Sequence, residues 1–554
     1  MTKRWVNSFN FWLVLIILVG GSLRFGAIGA KAIWLDEAFS IWVAKQSVPE
    51  IGQWLIQIDQ HPPLYYVLLH YWIGTFGDLQ GAVRAFSALC GTLAIAIFYA
   101  AGKELYDARV GLIAALLLAV APFHVRFAQE ARMYALLTLA VAAALYFLAH
   151  ILKLSSAREH GFSLTGTAAE KTMFSSQPQH RNPQAGIWRW IGLAVAQAAI
   201  MLTHNTAAVY FPLALNLAVF VLWRLHNSDH EASPGLISIH TNGFIRKWLL
   251  FQLMALLLWS TWAWAFVVQA RGVDGEFWIS PPTLDSILAT LHTLFLAHLP
   301  RWFPFYPLAD LLFWGLAAYG VYTQRQRPGR ALLLIVLFAT PIIVSLLVSL
   351  RRPIFYDRTL IWVTLPLYLL IAAGVEQIGQ KMETVMQPQQ SQRVRGLLGT
   401  AGGRTRQLQL LSIGIILILS GFALISYYLF FEKEEWDRAA AYLAEQAQPG
   451  DMIIFNATWV QLPFAYYFRH YDTDVELRGL PVDLFDRGIL EPKMAEEDLP
   501  YMRQLIADQS RVWLVYSHEW YTDPERIVVR ELQRVMTNEN RQRFEGLQVL
   551  EFTK

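Results

Sequence analysis

The segment HPPLYYVLLHYWIGTFG, His61 to Gly77, decides how this chain is threaded. It is apolar enough to enter a bilayer, yet it is short, opens with two prolines and carries the Tyr and Trp that favour a membrane–water interface. Whether it crosses or only dips into one face fixes the side on which every later loop lies. Composition makes the membrane itself plain. Of 554 residues, 55% are hydrophobic and 16% charged, and mean hydropathy is +0.35, too apolar for a soluble domain. Apolar runs of about 18 residues or more recur before Phe431, each long enough for a hydrocarbon core of about 30 Å.

The apolar pattern predicts helices at 9–28, 81–102, 109–123, 134–152, 188–203, 207–225, 248–268, 310–323, 331–350, 359–376 and 409–430. If His61–Gly77 stays on the outer face, the Lys and Arg of residues 1–430 divide roughly two to one in favour of the cytoplasm, as the positive-inside rule requires. If it crosses, the ratio inverts. The expectation is therefore an all-α polytopic domain over residues 1–430 with about 11 transmembrane helices, its N-terminus cytoplasmic. The loops 29–80, 124–133, 204–206, 269–309 and 351–358 then share the outer face. The opening run reads as a signal anchor rather than a cleaved signal, because further spans follow and Arg24 interrupts its end. The polar stretches 153–187 and 377–408 read as flexible cytoplasmic connectors.

After Phe431 the pattern changes. EEWDRAAAYLAEQA (434–447) is an amphipathic helix, PGD (449–451) a turn, and MIIFNA, RVWLVYS and LQVLEF are buried strands. Residues 431–554 are thus expected to form a small extracytoplasmic α/β domain. Asn456 lies in a glycosylation sequon. The single cysteine, Cys90, excludes an intrachain disulfide, and a net charge of +3 gives no basis for nucleic-acid binding.

Polar residues at membrane depth are costly, so their positions inform. Four sets fall on the expected outer face: Asp36–Glu37 in IWLDEAFSIW; His61; Arg126, Gln129, Glu130, Arg132 and Tyr134 in PFHVRFAQEARMY; and Arg351, Arg352, Tyr356 and Arg358 in RRPIFYDR. Three arginines in one outer loop run against the charge bias, and an anionic ligand there accounts for them. Each set also has a bland reading. Asp36 caps a helix from Glu37 to Lys45, His61 ends a loop, the arginines meet lipid headgroups, and Glu130 pairs with Arg126. His204 in LTHNTAAV reads as a satisfied structural histidine.

In combination, LDEAFS, HPPLYY, RAFSALCG and RRPIFYDR resemble the GT-C superfamily of membrane glycosyltransferases. The nearest branch is that of protein O-mannosyltransferases and lipid A aminoarabinose transferases, and the likeness covers roughly residues 5–375. The resemblance implies transfer of a sugar from a polyprenyl-phosphate donor to an acceptor hydroxyl of a protein, lipid or polysaccharide, on the extracytoplasmic face of a bacterial plasma membrane. It implies Asp36 as base, with Glu37 beside it. His61 stands where the aminoarabinose branch carries a phosphate-contacting lysine, and Glu130 lies near the superfamily's second acidic position. Thr359 replaces a common tyrosine after Arg358.

Elementary chemistry fits these roles. Arginines hold phosphate oxygens and stay cationic, which suits Arg351, Arg352 and Arg358 with His61 and Tyr356. A fixed carboxylate takes the acceptor proton, and in-line displacement inverts the anomeric centre. A lipid monophosphate donor requires no cofactor; if a metal takes part, Asp36 and Glu130 offer oxygen ligands to Mg2+ or Mn2+. The aromatic loop 269–309 reads as a lid over the lipid-sugar or as an interfacial anchor. The alternative function is a transporter or flippase of a lipid-linked substrate, but the chain shows neither internal repeats nor midplane charges.

Overall fold

The computed structural model describes residues 2–59, 61–152, 183–228, 242–272, 279–326, 328–385, 401–484, 486 and 492–554. Helix α1 (Thr2–Phe25) leads into three short helices, α2 (Leu35–Ala44), α3 (Val48–Ile58) and α4 (Leu64–Phe76). The deciding segment is α4. Its 13 residues make a helix of about 20 Å, short of the roughly 30 Å that a crossing needs. Tyr65, Tyr66 and Leu69 bury one of its faces, and it packs beside α2 and α5.

The bundle continues with α5 (Gln80–Leu105), α6 (Ala108–Val120), α7 (Pro122–Ala128), α8 (Tyr134–Leu152), α9 (Pro183–Met201), α10 (Asn205–Ser228) and α11 (Asn242–Gly272). Then come α12 (Leu284–Leu296), α13 (Tyr306–Thr323), α14 (Gly329–Ser349), a 3-10 segment (Asp357–Val363) running into α15 (Thr364–Val385), and α16 (Ala401–Phe430). All eleven expected segments are helical. Among the described residues, seven helices are long and apolar enough to cross a membrane, eight with the bent pair α6–α7. The chain is an integral membrane protein. Of the expected flexible connectors, 153–182 and 386–400 lie outside the described residues. The remainder, 183–187, 377–385 and 401–408, is helical, a correction to the expectation, because α9, α15 and α16 extend beyond their apolar stretches.

Two local features shape the end of the bundle that matters. The expected span 109–123 does not stop there: α6 and α7 meet at a 59° bend. Pro122 opens α7 and forces Ala121 out of helical geometry (ψ 114°). Carbonyls freed at the break are satisfied by Arg24, whose guanidinium donates to Leu118 O (2.9 Å) and Ala119 O (3.0 Å). Deeper in the bundle, α13 crosses α15 at Gly320 and Gly374. A Cβ on Gly320 would lie 2.0 Å from Leu370 O, and one on Gly374 2.3 Å from Leu316 O, so the crossing tolerates no side chain there.

The C-terminal region is α17 (Trp436–Gln446), β1 (Met452–Phe455), α18 (Gln461–Phe468), β2 (Glu476–Gly479), α19 (Leu499–Ile506), β3 (Arg511–Tyr516), α20 (Glu519–Thr522), α21 (Ile527–Val535), β4 (Thr537–Phe544) and β5 (Leu547–Thr553). The sheet order is β2-β1-β3-β5-β4, parallel across β2-β1-β3 and antiparallel across β3-β5-β4. The three expected strands are β1, β3 and β5, whose side chains are buried on both faces. Met452, Ile454 and Leu514 pack against the residues of α19 and α21, and Ile453, Phe455 and Trp513 against those of α17 and α18. β2 and β4 escape the apolar pattern because they are polar edge strands, β4 exposed and β2 half-buried. The sequon at Asn456 is closed: its side chain is buried, donates to Ser517 O (2.8 Å) and Thr522 Oγ1 (2.9 Å), and accepts from Ser517 N (2.8 Å).

Candidate active site

Asp36 and Glu37 occupy the first turn of α2, which starts at Leu35 with Trp34 as its N-cap. The expected capping role of Asp36 is therefore corrected: the helix begins one residue before it, and no side chain caps it. Both acids sit where the exposed N–H groups of a helix favour negative charge. Helical geometry turns adjacent side chains about 100° apart, and the two acids consequently have different fates.

Glu37 points inward and is fully buried. Arg84 grips it with two charge-assisted bonds (Nε–Oε1 and Nη2–Oε2, both 2.7 Å), the Ala131 N–H donates to Oε1 (2.8 Å) and Lys433 Nζ to Oε2 (2.8 Å). Burial raises its proton affinity, but Arg84 and Lys433 outweigh that and hold the carboxyl well below its usual range. Arg84 itself spans to the carbonyls of Ile28, Lys31 and Ala32, so the segment between α1 and α2 is anchored on α5.

Asp36 faces the other way and is 23% exposed. Its Oδ2 meets Arg358 Nη1 at 2.8 Å and Arg132 Nη2 at 3.8 Å. Burial opposes ionisation here too, but Arg132, Arg358 and His61 outweigh it, so the carboxylate stays charged below the ordinary aspartate range. Arg132 is held by the Asp36 carbonyl (3.2 Å) and Ser40 Oγ (3.3 Å), and its buried Nε has no hydrogen-bond partner.

His61 is oriented by Asp59, Nδ1 to Oδ1 at 2.8 Å, and Tyr66 donates to the other oxygen of Asp59 (2.9 Å). Its ring lies edge-on to His204 at 5.4 Å. The reading of His204 as a satisfied structural histidine is corrected by its hydrogen bonds. Nδ1 pairs with Thr206 Oγ1 (3.0 Å), but the buried Nε2 has no partner. Burial, then the nearby His61, Arg132 and Arg358, keep the ring neutral. Tyr134 packs between Phe127 and His204.

The remaining expected residues separate. Arg358 enters the site, flanked by Tyr356 at 5.0 Å and Trp34 at 5.8 Å. Arg351 and Arg352 are exposed at the end of α14, where Arg352 donates to Ala270 O (3.1 Å). Gln129 donates to the carbonyls of Leu23, Arg24 and Gly26 and accepts from Tyr427, tying α7 to α1 and α16. Glu130 is buried; Oε1 faces Arg126 (3.3 Å) and Lys433 (3.5 Å), while Oε2 has no partner. α12, from the expected lid 269–309, packs on α7 and the 3-10 segment.

Three groups were not singled out from the sequence. Arg84 carried a signal, since an arginine inside an apolar run needs a buried partner. Asp59 lay two residues from His61 in DQHPPLYY. Lys433, in FFEKEEW, carried none. Among the described residues no three His, Cys, Asp or Glu side chains converge as metal ligands. Asp36 faces two arginines, and Glu130 faces Arg126 and Lys433 through one oxygen.

The helical bundle and the appended sheet share their fold with solved structures of ArnT and of an archaeal oligosaccharyltransferase. Residues 60–169 match the family described as dolichyl-phosphate-mannose-protein mannosyltransferase. The structure is similar to ArnT from Cupriavidus metallidurans in the apo state, with TM-score 0.58 and 14% identity over 99% of this chain and 98% of that one. It is similar to ArnT bound to undecaprenyl phosphate at TM-score 0.54 and 15% identity, over 100% and 98% of the two chains. The oligosaccharyltransferase of Archaeoglobus fulgidus, tethered with an acceptor peptide, aligns at TM-score 0.52 and 11% identity over 91% of this chain and 68% of that one. No curated protein matches the sequence.

Proposed function

We propose that this protein transfers a sugar from a polyprenyl-phosphate donor to an acceptor hydroxyl on the extracytoplasmic face, with inversion. The observation that carries the reading is the pairing of Asp36, the more accessible of the two adjacent acids, with Arg358 at 2.8 Å and Arg132 at 3.8 Å. The buried, unpartnered nitrogens of Arg132 and His204 beside it suit a ligand rich in hydrogen-bond acceptors. The site that ArnT uses for undecaprenyl phosphate belongs to the same fold, which supports the same donor class here.

In this mechanism the acceptor oxygen attacks the anomeric carbon as the bond from that carbon to the phosphate oxygen breaks. The hydroxyl proton passes to Asp36, and polyprenyl phosphate leaves as an anion. Arg358, Arg132 and His61, with His204 Nε2, hold its oxygens. The arginines that keep Asp36 ionised also make it a weak base. Donor phosphate offsets their charge, which raises the basicity of Asp36 when there is a proton to take. Glu37 does not act on substrate; it holds α2 in place. Arg351 and Arg352, at the exposed end of α14, act on lipid headgroups.

The test is purified protein in proteoliposomes supplied with labelled polyprenyl-phosphate sugars and crude envelope acceptors. Label moving from lipid to acceptor is the expected result. Movement of intact lipid-sugar across the bilayer without transfer would establish a flippase instead.

A further inference from the structure

The cation that completes the buried half of the site comes from the far end of the chain. Lys433 lies three residues beyond α16 and is 5% exposed. Its Nζ is 2.8 Å from Glu37 Oε2 and 3.5 Å from Glu130 Oε1, and 5.5 Å from the centre of the Trp34 ring. From a third part of the chain it bridges α2, which carries Asp36, to the 129–133 turn, which carries Arg132. The residues after it are fixed to the C-terminal sheet region. Glu434 accepts from Trp436 Nε1 (2.6 Å) and faces His518 Nε2 (3.2 Å), and Glu435 N donates to Glu545 O (3.1 Å). The two regions also meet at Tyr467, whose hydroxyl accepts from Ile33 N (2.6 Å), just before α2.

A lysine in this place is costly unless its charge is used. Burying it requires anionic partners, and removing it leaves Glu37 with Arg84 and the Ala131 N–H, and Glu130 with Arg126 at 3.3 Å. Glu130 already has one oxygen without a partner. The α2 first turn and the 129–133 turn would then keep the Ala131 N–Glu37 Oε1 and Arg132 Nη1–Asp36 O bonds (2.8 and 3.2 Å). They would lose the cation between Glu37 and Glu130, and with it the tight relative placement of Asp36 and Arg132. We propose that Lys433 is a positioning residue for glycosyl transfer: it locks the buried carboxylates Glu37 and Glu130 so that Asp36 and Arg132 are held in register, making the site dependent on the C-terminal region. This rests on the assignment of Asp36 as base.

The experiment compares full-length wild type, Lys433→Met, Lys433→Arg and Asp36→Asn in membranes with the labelled donor. Each is measured for kcat and for affinity toward polyprenyl phosphate without sugar. Lys433→Met is expected to lower kcat by roughly 10-fold to 10²-fold, the scale of a misplacement of about 1 Å, with phosphate affinity within a factor of about three. Lys433→Arg, which keeps the charge, is expected to recover most of the rate. Wild-type kcat in Lys433→Met, or a loss confined to donor affinity, overturns the inference. If Lys433→Met does not fold, the charge-balanced pair Lys433→Met with Glu130→Gln carries the test, and wild-type kcat in it is equally fatal. Full transfer by Asp36→Asn overturns the base assignment instead, whatever Lys433 does.

Discussion

Adjacent acids divide the labour at the scale of the residue. Glu37 is spent on structure, with Arg84, Lys433 and the Ala131 N–H filling its oxygens, while Asp36 keeps an accessible face. Glu37→Gln leaves Arg84 buried against a neutral amide, and thermal or denaturant unfolding in detergent is expected to show a loss of about 3–5 kcal/mol. The same pairing sets a pH dependence. The folded Glu37 carboxyl is depressed relative to the unfolded chain, so its contribution is complete above the unfolded value of about 4.3 and is lost as pH falls towards the folded value. Wild type is expected to lose stability over that acidic window, and Glu37→Gln to lose less. His204→Ala removes the unpartnered Nε2 and is expected to weaken polyprenyl-phosphate binding by about tenfold, one charge-assisted bond of roughly 1.5 kcal/mol, readable by direct binding of labelled lipid. The sequence made Asp36, His61 and Arg358 legible because charges beside apolar runs are rare. It left the direction of each side chain open, which is why Glu37 and Asp36 looked alike and His204 looked idle.

The informative elements are those that break the regular pattern. α4 was legible as a non-spanning segment from its prolines and the charge count, and its 13 residues agree. The α6–α7 bend was only half legible. Pro122 marks where the helix must yield, but the pattern cannot say that a second helix resumes and carries Arg126 and Gln129 inward. The helix crossing of α13 on α15 depends on Gly320 and Gly374, whose missing side chains let backbone meet backbone. Gly320→Val is expected to destabilise the bundle by several kcal/mol, about the cost of overpacking a tight core, seen as a lowered unfolding midpoint in detergent with Gly315→Val, which faces open space, as its control. β2 and β4 went unseen because edge strands need not be apolar.

The whole molecule reads as a membrane bundle whose loop ends converge on one site, which Lys433 ties to the C-terminal region. The apolar helices and their order were legible from hydropathy. The contact between Lys433 and the first loop was not, since nearly 400 residues separate the partners and nothing local in the sequence records it. The expected orientation has a direct check. Gln504 is exposed on α19 and the single native cysteine, Cys90, is buried, so Gln504→Cys in intact cells is expected to react with an impermeant maleimide. Labelling only after permeabilisation would invert the orientation.

The claim at the centre is that Asp36 takes the acceptor proton, and a single-turnover measurement on preloaded donor tests it most directly. Asp36→Asn keeps the size and one hydrogen-bonding oxygen for Arg358. Its transfer rate is expected to fall by about 10²–10⁴-fold, the usual worth of a general base, while binding of polyprenyl phosphate stays near wild type. A single-turnover rate equal to wild type would contradict the mechanism.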